Sequence, residues 1–131
     1  MNITREDGLL TWQWLNYSPA HRERHNLAVH ALTVPLFILG TCALPLAPLV
    51  RAGCLVPYGL GAMLAAVVLQ GRTHRREKIA PAPFRGPRDV LARLFAEQWV
   101  TFPRYVLSGE FARAWRAGSK VTTDDRSCAK G

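Results

Sequence analysis

Polar and apolar positions in this chain are sorted into blocks. No Asp, Glu, Lys or Arg occurs from Asn26 to Val50 or from Ala52 to Gly71, and Arg51 alone divides the two stretches. Each is about as long as a helix crossing a bilayer, which takes roughly 20 apolar residues. A reversal at Arg51 makes the pair a helical hairpin. Pro35, Pro45, Pro48 and Pro57 interrupt the stretches, so a soluble helical core is the competing reading. Pro35 is expected to kink the first helix or to free a carbonyl within it. There is no strand-like alternation of any length and no internal repeat. The pattern predicts an all-α fold: a small membrane helical protein, with a transmembrane helical hairpin plus amphipathic interfacial helices.

The flanks are less regular. In GLLTWQWLNY, residues 8–17, Trp12, Trp14 and Tyr17 are side chains suited either to a membrane interface or to packing on the helical core. Ser18-Pro19 has the form of a helix start, cap then first-turn proline, for a helix carrying His21, His25 and His30. The basic, proline-rich run RTHRREKIAPAPFRGPRD after Gly71 is expected to cap one end of the hairpin. A third helical pattern begins near Pro87. Its apolar residues Leu91, Leu94, Phe95, Trp99 and Phe102 recur at three- and four-residue steps, which predicts a face against the hairpin or lipid with Arg93 and Arg104 outward. Pro103 should kink or end this helix, which reads as interfacial or shallowly re-entrant. SGEFARAWR, 108–116, predicts a short further helix. Residues 1–117 are read as one domain and 118–131 as a disordered tail. Residues 1–25 lack a continuous apolar core, so no cleaved leader is expected.

Charge adds an orientation. The formal net charge is +8, and thirteen of the seventeen Lys and Arg residues follow Gly71. Before the first apolar stretch, Arg5, Arg22 and Arg24 are balanced by Glu6, Asp7 and Glu23. The positive-inside bias then puts both termini in the cytoplasm and Arg51 on the other side. A basic skirt at that face attracts anionic membrane lipid or carboxylate substrates. No recognition helix or aromatic RNA-binding signature accompanies the charge, so no nucleic acid partner is expected. Cys42, Cys54 and Cys128 form no CxxC pair and read as two apolar fillers and a tail thiol.

The candidate chemistry lies in the histidines. His30 lies 21 residues before Arg51 and His74 lies 23 after it, so a hairpin brings both to similar depth at one face. His21 can fold back to the same place. On a continuous helix His21 and His25 would share a face, whereas His21 and His30 would lie about 180° apart. Spacing alone therefore favours His21 with His25, or His30 with His74. Asn26 could orient a ligand from behind. Glu77, three residues past His74, is a candidate carboxylate ligand or catalytic base. Imidazole with carboxylate suits Fe(II), Zn(II) or Mn(II).

Tyr17, His21, Asn26, His30 and Pro35 form the motif Y-x3-H-x4-N-x3-H-x4-P, and Gln70, His74 and Glu77 follow the second apolar stretch ahead of Pro81-Ala82. Over roughly residues 12–116 this order resembles the membrane-embedded 2-hydroxy fatty acid dioxygenase family first recognised in yeast. In that family Gly usually stands where this chain has Thr73, and the acidic residue falls at the position of Lys78. The resemblance implies Fe(II) as cofactor, with O2 and a 2-hydroxy fatty acid as substrates and loss of one carbon. It implies His21, His30 and His74 as iron ligands, with Tyr17, Asn26 and Gln70 behind them. It leaves His25 out, and so requires a bend between His21 and His30. Arg72, Arg75 and Arg76 are placed to meet a substrate carboxylate, or to anchor the chain at the membrane. The alternatives are a non-enzymatic lipid-binding or scaffold hairpin, and a zinc hydrolase acting on lipid.

Overall fold

The computed structural model describes residues 8–118, all of whose regular structure is helical. The expected tail and Cys128 lie outside the described residues. Helix α1 spans Leu9–Tyr17 and ends in a single 3-10 turn, Ser18–Ala20. Helix α2 spans Arg24–Leu49 and α3 spans Leu55–His74. An irregular stretch, 75–86, leads to α4 (Pro87–Ala96), a π turn (Glu97–Thr101), α5 (Phe102–Leu107) and α6 over 110–118.

The hairpin predicted about Arg51 is present. Arg51 has φ +53°, the left-handed conformation that commonly ends a helix. Ala52 N–H bonds the Ala47 carbonyl at 3.0 Å and Arg51 N–H bonds that of Pro48 at 3.4 Å. This is the Schellman pattern, which satisfies carbonyls at the end of α2. Farther down, the two helices meet backbone to backbone. A Cβ on Gly40 would lie 2.6 Å from the Gly59 carbonyl oxygen, and a Cβ on Gly59 would lie 2.8 Å from that of Gly40. Small residues at such a crossing let helices approach closely. Pro35 does not end α2, which runs unbroken through Pro35, Pro45 and Pro48.

Both hairpin helices are long and apolar enough to cross a membrane. Their apolar side chains largely face outward: Leu32, Leu39, Leu49, Tyr58 and Leu64 are each at least two-thirds or close to two-thirds exposed. The interior between α2, α3 and the α4–α5 segment is mixed, with polar side chains buried beside apolar ones. Gln70 and Gln98 exchange amide hydrogen bonds at 3.2 and 2.7 Å, and Gln70 also donates to Thr33 Oγ1 at 2.8 Å. A cluster of Tyr17, Leu27, Val34, Phe102 and Tyr105 forms the apolar core, at the open end of the hairpin. Trp14, Phe111 and Trp115 of α1 and α6 pack against it.

Two local expectations are corrected. Ser18-Pro19 does not start a helix that carries His21. The chain leaves the 3-10 turn at Ala20, passes residues 21–23 without regular structure and starts α2 at Arg24. Glu23 is the cap, its carboxylate accepting from Asn26 N–H at 2.8 Å. Arg93 does not face outward either. It is buried, with its guanidinium donating to the carbonyls of Ala82 and Pro83 and lying over the Phe84 and Trp12 rings. A guanidinium can be buried when carbonyls and aromatic faces replace water. Arg104 is exposed, as expected, and lies over Trp14.

The π turn precedes Pro103, whose ring cannot accommodate the i−4 carbonyl of a regular helix. The wider turn relieves that clash and shifts the register. The predicted apolar face is split as a result. Phe102 is buried, whereas Leu91, Phe95 and Trp99 stay exposed, Phe95 with one edge against Phe37 at 5.4 Å. The side turned inward carries Arg93, Gln98 and Thr101.

Candidate metal centre

Four segments converge at the open end of the hairpin. His21 comes from the break before α2, His30 from the second turn of α2, His74 from the last residue of α3, and Glu97 from the first residue of the π turn. One ligand atom from each lies within 4.8 Å of every other. His21 Nε2 and His30 Nε2 are 3.4 Å apart. Glu97 Oε1 is 3.5 Å from the first and 3.4 Å from the second. The three imidazole rings stand edge to face, with centroids 4.7 to 5.0 Å apart.

The break between His21 and His30 makes this possible. Glu77 holds that break: its Oε1 accepts from Arg22 N–H at 3.0 Å, Glu23 N–H at 3.1 Å and Asn26 Nδ2 at 2.7 Å. Thr73 donates to the other end of the Asn26 amide at 2.7 Å. The end of α3 is thus tied to the start of α2.

The donor set fits a metal cation. His21 Nδ1 lies 2.9 Å from the Tyr17 carbonyl oxygen, and His30 Nδ1 lies 2.9 Å from that of Asn26. A carbonyl can only accept, so Nδ1 carries the proton in both rings and the Nε2 lone pairs are left facing each other. Two lone pairs and a carboxylate turned on one point call for a cation or extra protons. A carbonyl behind a histidine also fixes ring orientation and raises ligand basicity. His74 Nδ1 is buried with no hydrogen-bond partner among the described residues. Burial pushes the Glu97 carboxyl up; with those extra protons making His21 and His30 cationic donors, their hydrogen bonds and attraction outweigh burial and hold Glu97 well below the usual carboxylate range. The cluster can therefore hold a metal ion.

Tyr17 backs the site as a motif residue. Its ring stacks on His21 at 3.8 Å and its hydroxyl donates to Glu97 Oε1 at 3.2 Å. Burial, then the Glu97 charge, raises the Tyr17 phenol well above its ordinary value and keeps it a donor. Tyr105 donates to the His21 carbonyl at 3.2 Å. Asn26 supports His30 and links Thr73 to Glu77. Gln70 touches Thr33 and Gln98 rather than a histidine.

Other sequence candidates lie outside the cluster. His25 is exposed on α2. Glu77 is engaged with the break and does not join the four ligand atoms. Arg72, Arg75 and Arg76 are exposed, and none lines the cavity of about 190 Å³ beside His21, His74 and Glu97. Arg93 does line it, with Gln13 and Ile79. Glu97 was not singled out from sequence. With Arg93 four residues before it, it has the spacing of a surface helical ion pair. Its distinguishing sign is a carboxylate inside the apolar run LFAEQWVTF, with no Lys or Arg between Arg93 and Arg104.

Because Glu77 sets the position of His21 without reaching the cluster, Glu77→Ala is expected to weaken metal binding about 10–100-fold, the usual range for a residue behind the ligands. Glu77→Gln should lose less, since its carbonyl oxygen can still accept. Competitive titration with a chromogenic chelator measures both; an Ala variant with unchanged affinity would remove Glu77 from this role.

No family model, curated protein or solved structure matches the chain.

Proposed function

We propose that the chain is a membrane-embedded Fe(II)-dependent dioxygenase that uses O2 to shorten 2-hydroxy fatty acids by one carbon. The observation that carries this reading is the convergence of His21, His30 and His74 with Glu97 from four separate segments. Three of the four are the residues that the family resemblance singles out as ligands. Three imidazoles with one carboxylate suit Fe(II). When bound, iron would supply O2 activation and chelation of neighbouring carboxylate and hydroxyl oxygens. The protein would orient the ligand rings through the Tyr17 and Asn26 carbonyls, hold Glu97 ionised, and narrow access to the site with 79–82, which line the small cavity.

The outward apolar faces of α2 and α3, with the Gln70–Gln98–Thr33 hydrogen bonds buried behind them, support membrane insertion. On that reading both termini face the cytoplasm and Arg51 the opposite side. Cysteine labelling at position 51 and at position 116 from opposite sides of sealed vesicles tests the orientation; labelling of both from one side would refute it.

Anaerobically purified protein loaded with Fe(II) and then given O2 and 2-hydroxypalmitate is expected to release a product one carbon shorter. Palmitate should be inert, and His74→Ala should be inactive. Tight metal binding without turnover of any 2-hydroxy acid would sink the dioxygenase reading. Absence of metal binding would favour a lipid-binding hairpin.

A further inference from the structure

A second, larger cleft lies on the other side of Pro19 and Ile79, which line both it and the cavity beside the histidines. Its volume is about 1100 Å³, slightly above the usual range for small-ligand pockets. It sits where α2 begins and α3 has just ended, at the mouth of the hairpin. Its floor is apolar, from Ala28, Ile79, Ala114 and Trp115, and its rim is charged.

The rim charges do not cancel locally. Its three carboxylates are engaged: Glu77 with the break before α2, Glu23 as the α2 cap, and Glu110 with Arg113 at 2.6 Å. Arg24 lies over the Trp115 ring at 4.5 Å. Arg22, Arg76 and Lys78 are exposed, and their side chains have no carboxylate partner among the described residues. Three cations around an apolar floor, at the end of two apolar helices, match an amphiphile with an anionic head.

We propose that this cleft binds one anionic phospholipid, its phosphate held by Arg22, Arg76 and Lys78 and its glycerol end lying on the Trp115–Ile79 floor. Arg forks are well suited to phosphate oxygens, and Lys adds a point charge. The assignment rests on α2 and α3 being membrane spans, but not on the metal or the oxidation chemistry. A free phosphate would use the rim alone and leave the floor uncovered, so a lipid is the better match.

Native mass spectrometry of the full chain in a mild detergent, with phosphatidylglycerol and phosphatidylcholine offered in equal amounts, tests it. One phosphatidylglycerol is expected to remain bound, at least tenfold over phosphatidylcholine. Each basic residue removed should cost about fivefold, so R22Q/R76Q/K78Q should abolish the preference while metal content is unchanged. Equal retention of both lipids, or a triple variant that keeps the preference, would overturn the cleft. Displacement of the lipid by inorganic phosphate at equal concentration would make it a free-anion site instead, which also overturns the proposal. Should the triple variant lose its helical circular dichroism, R76Q/K78Q decides: full retention of the preference overturns the assignment. A chain that stays soluble without detergent would refute the membrane reading itself, a result distinct from all of these.

Discussion

His30→Ala, His74→Ala and Glu97→Ala are each expected to bind metal about 100-fold more weakly or worse, because each removes a direct donor where loss of a residue behind one costs 10–100-fold. His25→Ala should bind as wild type, since His25 is exposed and outside the four-residue group. Titration with Co(II), followed by its visible absorption, reads affinity and coordination together. Glu97→Gln is the informative intermediate: it keeps a partner for the Tyr17 hydroxyl but loses the negative charge facing two Nε2 atoms. It should bind more weakly than wild type with a changed Co(II) spectrum. Loss of metal from the His25 variant with retention in the His30 variant would show that helical spacing, and not the observed break, sets the ligand pair.

The second large effect is expected at the helix crossing. Gly59→Leu puts side-chain atoms where even a Cβ would come within 2.8 Å of the Gly40 carbonyl oxygen. Backbone must move to make room, and overpacking of this kind costs about 3 kcal/mol. Gly61 lies on the same helix, and a Cβ there would meet nothing within 4 Å, so Gly61→Leu is the control and should change little. Thermal unfolding in detergent compares the two. Parting of α2 from α3 also separates His30 from His74, so the Gly59 variant should lose metal along with stability. Equal melting of the two variants would mean that the crossing does not hold the hairpin together.

The sequence carried the hairpin and part of the site for different reasons. The hairpin follows from two uncharged stretches and one charged turn. Similar distances from Arg51 then bring His30 and His74 to nearly the same level, which needs no more than helical rise. His21 was harder, because a Ser-Pro start implies a helix that would point His21 away from His30. What decides against it is Glu77, more than fifty residues later, which accepts from the N–H groups of the break; a long-range bond of that kind leaves no local pattern. Glu97 and Arg93 were hidden for a different reason. Their spacing fits an exposed amphipathic helix, but the π turn changes register and the polar side turns inward. The Gly40–Gly59 contact was equally invisible, since no spacing within either helix identifies its mate across the hairpin.

The π turn also governs where the chain can change length. Removing one residue between Glu97 and Thr101 would restore an ordinary helix there and rotate everything before it by about 100° relative to everything after. Glu97 would swing away from the histidines while Phe102 and Tyr105 stayed in the core, and Pro103 would again meet a carbonyl it cannot accommodate. The irregular stretch 75–86 keeps no helical phase, although Glu77, the residues that cover the small cavity, and Pro83 and Phe84, which hold Arg93, are fixed within it. Among descendants of this sequence, insertions and deletions should therefore be missing from Glu97 to Thr101 and be found instead in 75–86, away from the residues there that hold His21 and Arg93.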